Sequence, residues 1–355
     1  MNHKSGSGQT SDSTAPKPRT VLVAGGAGFL GSHLCERLRQ ENCEVFCIDS
    51  LITGQLNNLA ALRSDSRFHF IEADIVDSLP NSVLARSYDE IYNLACAASP
   101  SQYQADPEHT LLTSVMGTHR LLRLAERDSA RFLFTSTSEI YGDPLVHPQD
   151  EAYLGNVNPI GPRACYDEGK RAAETLCFDY DRGGRVRVRV VRIFNTYGPR
   201  LRPEDGRVVS NFVAQALRGQ PLTVYGSGQQ TRSFCYVDDM VSGILLMARY
   251  SGEQPGPVNV GNPNEVTIAE LALRVQGLAA LGDDVIFLPL PTDDPQRRKP
   301  NIDRARRLLG WTPTVSLDDG LKWTFEWFQS EMGKLGASLS RAESPMVPIG
   351  DGGVN

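Results

Sequence analysis

The chain has no apolar run that approaches the roughly 20 residues needed to cross a bilayer. Its first 19 residues are rich in serine, glycine, threonine and proline and contain no apolar stretch. This composition is typical neither of a signal peptide nor of a membrane anchor. We therefore expect a cytoplasmic protein that has no membrane partner.

Positive charge is also scarce. The 36 lysines and arginines are outnumbered by 42 aspartates and glutamates, which gives a net charge of −6. Nucleic-acid binding usually requires a clustered basic face. We therefore expect no nucleic-acid partner.

The seven cysteines show no Cys-x-x-Cys or Cys-x-x-His spacing, and none of the six histidines lies in a metal-binding motif. An odd and unpatterned cysteine count is typical of reduced thiols in a cytosolic protein. The sequence therefore predicts no metal site.

Length and composition predict an ordinary globular protein with two closely packed domains. We place disordered segments at residues 1–19 and 334–355. Between them we expect a first domain at residues 20–195, whose glycine pattern Gly25-x-x-Gly28-x-x-Gly31 makes it the NAD-binding domain. A lobe that mainly binds substrate follows at residues 196–333, with some of its chain returning to the first domain.

The first half of the chain alternates short apolar runs with helical patterns. Predicted strands begin at Thr20, Glu44, Phe68, Glu90, Arg131 and Val186. Such alternation indicates a Rossmann-type, doubly wound parallel sheet. Beyond residue 195 glycine, proline and arginine become denser, which predicts a smaller, loop-rich α/β lobe over the carboxyl ends of the strands.

A glycine pattern follows the first predicted strand and opens the first predicted helix. In Gly25-x-x-Gly28-x-x-Gly31, the glycines let the backbone approach a pyrophosphate at the helix N-terminus. Asp49 ends the second strand, where a carboxylate binds ribose hydroxyls and favours NAD over NADP. We assign these residues to the NAD site: Gly25, Gly28, Phe29, Leu30, Gly31, Asp49, Asp74, Ile75, Leu94, Tyr166 and Lys170.

A Tyr-x-x-x-Lys pair places the Tyr166 phenol and the Lys170 ammonium one helical turn apart. We expect the lysine charge to lower the pKa of the phenol, which would make it a base for a sugar hydroxyl. Thr137 and Ser138 follow a predicted strand and can hydrogen-bond the same hydroxyl. The sequence therefore predicts a redox enzyme that acts on an alcohol.

Several long stretches resemble the extended short-chain dehydrogenase/reductase family of nucleotide-sugar enzymes, and more narrowly its UDP-glucuronate decarboxylases (UDP-xylose synthases). They are STSEIYGD at 136–143, NPIGPRACYDEGKR at 158–171, RIFNTYGPR at 192–200, DGRVVSNF at 205–212, LTVYGSG at 222–228 and DDPQRRKP at 293–300. The resemblance extends from about residue 20 to residue 328.

This resemblance implies roles for individual residues. Glu139 would support proton transfer near the sugar, and Arg298 would lie beside the substrate carboxylate. With Tyr166, Lys170, Thr137 and Ser138, these two complete the expected catalytic set. The implied substrate-binding residues are Tyr103, Arg163, Asn195, Leu222, Tyr225, Arg232 and Arg298.

The implied reaction is oxidation of UDP-glucuronate at carbon 4, loss of carbon dioxide and re-reduction to UDP-xylose by the same bound NAD. The alternatives are a 4-epimerase or a 4,6-dehydratase acting on a related nucleotide sugar. A non-catalytic NAD-binding sensor is a third possibility, although the intact Tyr166, Lys170 and Thr137 argue against it. The nucleotide base stays open, as does release of a 4-keto pentose instead of UDP-xylose.

The chain departs from the family pattern after Pro107. Where the family usually has two lysines and an asparagine, this chain reads EHTLLTS at residues 108–114. Leu112 replaces a substrate-contacting lysine, and Ser114 and Arg120 replace asparagines. These departures leave open how an acidic sugar is held. The resemblance further implies a homodimer, joined through helices at residues 107–127 and 164–182.

Overall fold

The structure, a computed structural model, describes residues 17–280, 284–290 and 297–342, with 335–342 described by their backbone only. Most of the predicted disordered segment at 1–19 therefore lies outside the described residues. The same holds for Asp293 and the other residues at 291–296.

The strands are distributed over the whole described chain. They are β1 Thr20–Ala24, β2 Glu44–Asp49, β3 Phe68–Glu72, β4 Glu90–Asn93, β5 Arg131–Thr137, β6 Val188–Ile193, β7 Thr196–Tyr197, β8 Leu222–Tyr225, β9 Thr231–Ser233, β10 Cys235–Tyr236, β11 Val258–Val260, β12 Glu265–Thr267, β13 Val285–Leu288 and β14 Arg297–Arg298.

The helices alternate with these strands. They are α1 Phe29–Gln40, α2 Asn81–Leu84, α3 Pro100–Tyr103, α4 Pro107–Leu112, α5 Thr118–Asp128, α6 Ala164–Arg182, α7 Val208–Leu217, α8 Val237–Arg249, α9 Ile268–Ala279, α10 Asp303–Leu309 and α11 Leu317–Ala342. A π-helical turn, Thr113–Gly117, joins α4 to α5, and 3-10 turns occupy Leu56–Leu62 and Ser138–Tyr141.

The central sheet has seven strands in the order β11-β6-β5-β4-β1-β2-β3, and all of its neighbouring strands are parallel. The predicted doubly wound sheet is therefore confirmed. Strand β1 shows why it forms, since alternate side chains enter opposite layers. Val21 and Val23 join one hydrophobic cluster, and Leu22 and Ala24 join the cluster on the other face.

The smaller lobe carries short sheets over the carboxyl ends of the central strands. β8 pairs with β13, and β9 lies between β12 and β14. A capping box, in which Thr267 and Glu270 exchange hydrogen bonds, begins α9. Later parts of the chain also contact the central layer, because β11 pairs with β6 and α8 packs against α1. The division at residue 195 stays a prediction.

Two differences from the sequence-based expectations concern helices. Helix α11 continues to Ala342, beyond residue 334 where we expected order to end. No proline interrupts residues 317–342, and leucine and alanine, which favour helix, recur there. The helix predicted at 107–127 contains the π turn. Within the described residues, no helix is long and apolar enough to span a membrane.

Candidate active site

A cavity of about 830 Å³ lies at the carboxyl ends of the central strands. Residues after β1, β4, β5 and β6 line it, and the smaller lobe closes it with residues of β8, β9 and β14. The strand order reverses between β1 and β4, and ligands of open parallel sheets bind at such switch points. The topology therefore places the binding site here.

The glycine turn forms one end of this cavity. Gly25 has a φ of +80°, and an added Cβ would lie 2.7 Å from the backbone nitrogen of Ala95. At Gly31 an added Cβ would lie 2.1 Å from the Gly25 oxygen, so α1 packs directly on the turn. Gly28 is the N-cap of α1. These glycines leave the open helix N-terminus that a dinucleotide pyrophosphate requires, and the residues present fit NAD.

Replacing Gly31 by alanine should both destabilise the protein and weaken NAD binding. The new methyl would collide with backbone atoms of Gly25 and Gly26, and overpacking of this kind costs about 1–3 kcal/mol. Gly277→Ala is the matched control, because its added Cβ meets no atom within 4 Å and alanine favours helix. Urea unfolding and NAD titration would check both variants. Wild-type stability and affinity in Gly31→Ala would contradict the expected packing.

Asp49 holds the turn to the end of β2. Its carboxylate accepts hydrogen bonds of 2.9 Å from the amides of Ala27 and Leu51. The side chain is buried, and burial raises the pKa of its carboxyl group although these amides oppose the shift. A carboxylate in this place can accept hydrogen bonds from ribose hydroxyls.

His109 belongs to the wall of the cavity. Its Nε2 lies 2.8 Å from a carboxylate oxygen of Asp74, and both residues line the cavity. The sequence position of His109 in α4 gave no indication of this contact, because Asp74 lies on a separate segment that follows β3. Ile75 and Leu94 line the same end of the cavity.

Tyr166 and Lys170 lie on the inner face of α6 and are both buried. Lys170 Nζ donates a 3.0 Å hydrogen bond to the carbonyl oxygen of Thr135 and lies 6.0 Å from the centre of the Tyr166 ring. Burial raises the pKa of the Tyr166 phenol, and a hydrogen bond with Thr137 opposes that shift. The expectation of a lowered pKa was therefore wrong for this structure, because desolvation outweighs the hydrogen bond with Thr137 and the charge of Arg207.

Tyr103 lies behind Tyr166 and does not line the cavity. The two rings stack with their centres 5.1 Å apart and their planes within 2°. The Tyr103 side chain is therefore one layer removed from the position that we expected beside the sugar.

Glu139 is the charged centre of the cavity. Its carboxylate accepts hydrogen bonds from Arg163 at 2.9 Å and from Arg298 at 2.8 Å, and all three side chains are largely buried. Burial raises the pKa of Glu139, but the two guanidinium groups overcome this effect and lower it to about 2. Glu139 is therefore ionised, and Arg298 is bonded to it.

Asp167 lies one residue after Tyr166 but lines a second, smaller cavity. Burial and the charge of Glu139 raise the pKa of its carboxyl group to about 8. Sequence reasoning missed this residue, because its surroundings form only when α6 packs beside the 3-10 turn Ser138–Tyr141.

The expected substrate residues line the cavity with two exceptions. Asn195, Tyr225, Arg163, Arg232 and Arg298 belong to its wall. Leu222 does not, because side chains alternate along β8 and Leu222 enters the hydrophobic core. Thr223 and Tyr225 face the cavity instead, and Tyr103 is the other exception. The sequence also missed polar residues of the wall: Asn58, Thr113, Arg200, Arg202, Asp205 and Arg207.

The three departures from the family pattern lie outside this cavity. Leu112, Ser114 and Arg120 are absent from its lining, whereas His109 and Thr113 on the same helical segment belong to it. Ser114 instead contacts Cys96, at 3.3 Å between the Oγ and Sγ atoms. The substitutions therefore do not change the wall of the described cavity.

Seven thiols are free, and no cluster of metal-ligating side chains occurs among the described residues. The parallel sheet, the glycine turn at its switch point and the acid that ends β2 define a dinucleotide-binding protein. The chain belongs to the NAD dependent epimerase/dehydratase family, whose family model matches residues 21–261.

Two relatives from Arabidopsis thaliana resemble most of the chain. UDP-glucuronic acid decarboxylase 2 is 55% identical over 301 residues, which are 85% of this chain and 66% of that protein. The chain thus spans just under two thirds of that relative. UDP-glucuronic acid decarboxylase 6 is 52% identical over 314 residues, 88% of this chain and 90% of that protein.

A solved structure shares the fold. It is UDP-glucuronic acid 4-epimerase from Bacillus cereus in complex with UDP-glucuronic acid and NAD, which is 28% identical to this chain with a TM-score of 0.80. The likeness covers 88% of this chain and 99% of that one.

Proposed function

We propose that this protein decarboxylates UDP-glucuronate to UDP-xylose, with NAD as a recycled cofactor. The observation that carries the proposal is the Glu139 carboxylate held by Arg163 and Arg298 in the same cavity as Tyr166. Relatives at 50–55% identity are named UDP-glucuronic acid decarboxylases, which supports this substrate.

When bound, NAD supplies the oxidant for carbon 4 of the sugar and afterwards the reductant for the same carbon. The glycine turn would hold its pyrophosphate and Asp49 its ribose. Asp74 and Ile75 would border the adenine, and Phe29, Leu30 and Leu94 would pack along the cofactor. Each of these residues lines the cavity.

Tyr166 is the proposed base. Its phenolate oxygen takes the proton from the hydroxyl on carbon 4, and Thr137 shares a hydrogen bond with the same oxygen. Burial raises the pKa of this phenol, and the hydrogen bond with Thr137 and the charge of Arg207 oppose part of that shift. Lys170 donates a hydrogen bond to the carbonyl oxygen of Thr135 and so links α6 to β5. When carbon 4 is reduced again, Tyr166 returns its proton to the oxygen.

Once carbon 4 is a ketone, the carboxylate on carbon 5 belongs to a β-keto acid. Such an acid loses carbon dioxide because the ketone accepts the electron pair of the broken bond. Arg298 would bind this carboxylate, and Thr137, Ser138 and Tyr166 would stabilise the enolate oxygen. Arg163, Asn195, Arg232 and Tyr225 would hold the rest of the nucleotide sugar.

The 4-epimerase and 4,6-dehydratase alternatives are not favoured. The solved 4-epimerase is only 28% identical, against 55% for a decarboxylase. An epimerase must let the bound keto-sugar rotate so that the hydride returns to its opposite face, and it needs no arginine directed at a carboxylate. Intact Tyr166, Lys170 and Thr137 argue equally against a non-catalytic sensor.

Incubation of the purified protein with UDP-glucuronate and NAD, followed by proton NMR, tests the proposal. We expect carbon dioxide and UDP-xylose without net formation of NADH. UDP-galacturonate would move the assignment to an epimerase, and an unchanged substrate would refute the proposed activity. A 4-keto pentose with stoichiometric NADH would mean that the final reduction is not used.

We also propose a cytoplasmic homodimer. The exposed apolar side chains Leu111 and Met116 lie on the helical segment that contains α4 and α5. This segment packs beside α6, and two copies could bury the combined surface. Light scattering should give twice the monomer mass, and Met116→Glu should weaken that association. A monomer at micromolar concentration would refute the dimer.

A further inference from the structure

The proposed decarboxylation, on which this inference rests, consumes one proton in each turnover. The substrate carboxylate leaves as carbon dioxide, and a hydrogen takes its place on carbon 5. Tyr166 cannot supply this hydrogen overall, because it returns to the oxygen on carbon 4 the proton that it removed. A proton from solvent must therefore reach carbon 5 in every cycle.

A second cavity of about 240 Å³ lies beside the first. Its lining includes Glu139, Arg163, Asp167, Asp143, Asn156 and Asn158. Glu139 and Arg163 line both cavities, whereas Asp167 lines only the second. The Glu139–Arg163 pair is therefore the partition between the sugar site and a small polar chamber.

Asp167 is the unusual group in this chamber. Its side chain is buried, with the residue 6% exposed, and its Oδ1 atom has no hydrogen-bond partner among the described residues. Buried carboxyl oxygens are normally bonded. The charged or titratable groups that face Asp167 are Glu139, Arg163, Arg298, Glu168, Tyr103 and Cys165, and Asp143 lines the same cavity.

The balance of these groups keeps a proton on Asp167. Burial and the charges of Glu139 and Glu168 raise its pKa, while Arg163 and Arg298 lower it by less. Glu139 is held ionised by the same two arginines. Asp167 is thus a proton donor at neutral pH. The ionised Glu139 is the acceptor nearest to the sugar site.

We propose that Asp167 and the second cavity supply the proton that decarboxylation consumes, passing it to carbon 5 through Glu139. The enolate electron pair forms the new bond between carbon 5 and hydrogen, and the ketone at carbon 4 is restored. Asp167 first protonates the Glu139 carboxylate, directly or through water in the second cavity, and Glu139 passes this proton to carbon 5 and is ionised again. Solvent then re-protonates Asp167, so that one proton enters for each carbon dioxide that leaves.

Asp167→Asn tests the proposal, because the amide keeps the shape and cannot relay an acidic proton. Protonation of carbon 5 follows oxidation and loss of carbon dioxide. In a single turnover, the variant should therefore release carbon dioxide at the wild-type rate and accumulate enzyme-bound NADH. UDP-xylose should then appear at least about 10²-fold more slowly, at the lower limit of general acid catalysis.

Three comparisons separate a relay from a structural role. Asp167→Glu should restore most of the rate, because it retains a carboxylic acid. Asp179→Asn neutralises an exposed carboxylate on the same helix, which lies outside both cavities, and it should turn over normally. The wild-type rate should fall as pH rises through about 8, since Asp167 then loses its proton, and Asp167→Asn should lack this alkaline fall.

Wild-type rates and an unchanged pH profile in Asp167→Asn would overturn the proposal. It would also be overturned by a variant that forms neither NADH nor carbon dioxide, since Asp167 would then organise the oxidation step, and by a failure of Asp167→Glu to restore activity. Failure of the proposed function is distinguishable, because the wild-type protein itself would then release no carbon dioxide from UDP-glucuronate.

Discussion

Tyr166→Phe should lower the rate of UDP-glucuronate turnover by about 10²- to 10⁴-fold, the usual contribution of a positioned acid or base. Phenylalanine keeps the ring that stacks on Tyr103 and removes only the hydroxyl. The lost hydrogen bond with Thr137 should reduce the free energy of unfolding by about 0.5–1.5 kcal/mol. NAD should still bind, because the glycine turn and Asp49 are untouched.

A second tyrosine provides the control for this prediction. Tyr88 is also buried, and its hydroxyl donates a 3.1 Å hydrogen bond to the carbonyl of Val83; neither residue lines the cavity. Tyr88→Phe should cost similar stability and leave turnover unchanged. Steady-state rates and thermal unfolding of both variants test whether Tyr166 is the base. If Tyr166→Phe retained near-full activity, another group would have to be the base.

Much of the fold and of the cofactor end could be predicted because the signals are local. The strand Thr20–Ala24, the helix Phe29–Gln40 and the glycines between them adjoin in sequence, so their patterns survive without tertiary information. Helix α6 was likewise predicted with its observed bounds, Ala164–Arg182. The family resemblance identified residues that line the sugar end of the cavity, such as Glu139 and Arg232.

The rest depends on packing between distant segments. The inward direction of Leu222 is set by the sheet that β8 forms with β13, and the place of Tyr103 by the ring of Tyr166. His109 meets Asp74 across 35 residues of sequence. The direction of the pKa shift of Tyr166 follows from burial, which motif spacing does not reveal. Sequence analysis did not identify Asp167, because its raised pKa also follows from burial.

Glu139→Gln should lower both the turnover rate and the free energy of unfolding. Arg163 and Arg298, each 7% exposed, would keep their charges without the carboxylate that faces them. Breaking a buried ion pair by removing one partner costs about 3–5 kcal/mol. The rate of UDP-xylose formation should fall by at least about 10²-fold, because Glu139 then neither positions Arg298 nor carries a proton.

The effect on stability should depend on pH with a defined sign. The pKa of Glu139 falls to about 2 on folding, against an ordinary value of about 4.3. Its contribution is therefore fully present above the ordinary value and is lost as pH falls through about 2. The difference in unfolding free energy between wild type and Glu139→Gln should be largest near neutrality and narrow in acid.

Glu174→Gln separates stability from chemistry in this experiment. Glu174 is a buried carboxylate that accepts hydrogen bonds of 3.0 and 2.8 Å from Arg192, and it lies outside the cavity. Its loss should destabilise the protein by a similar amount, while the folded molecules should keep their turnover rate. If both variants lost stability and neither lost turnover per folded molecule, the Glu139 ion pair would be structural, and another residue would have to hold Arg298 and deliver the proton.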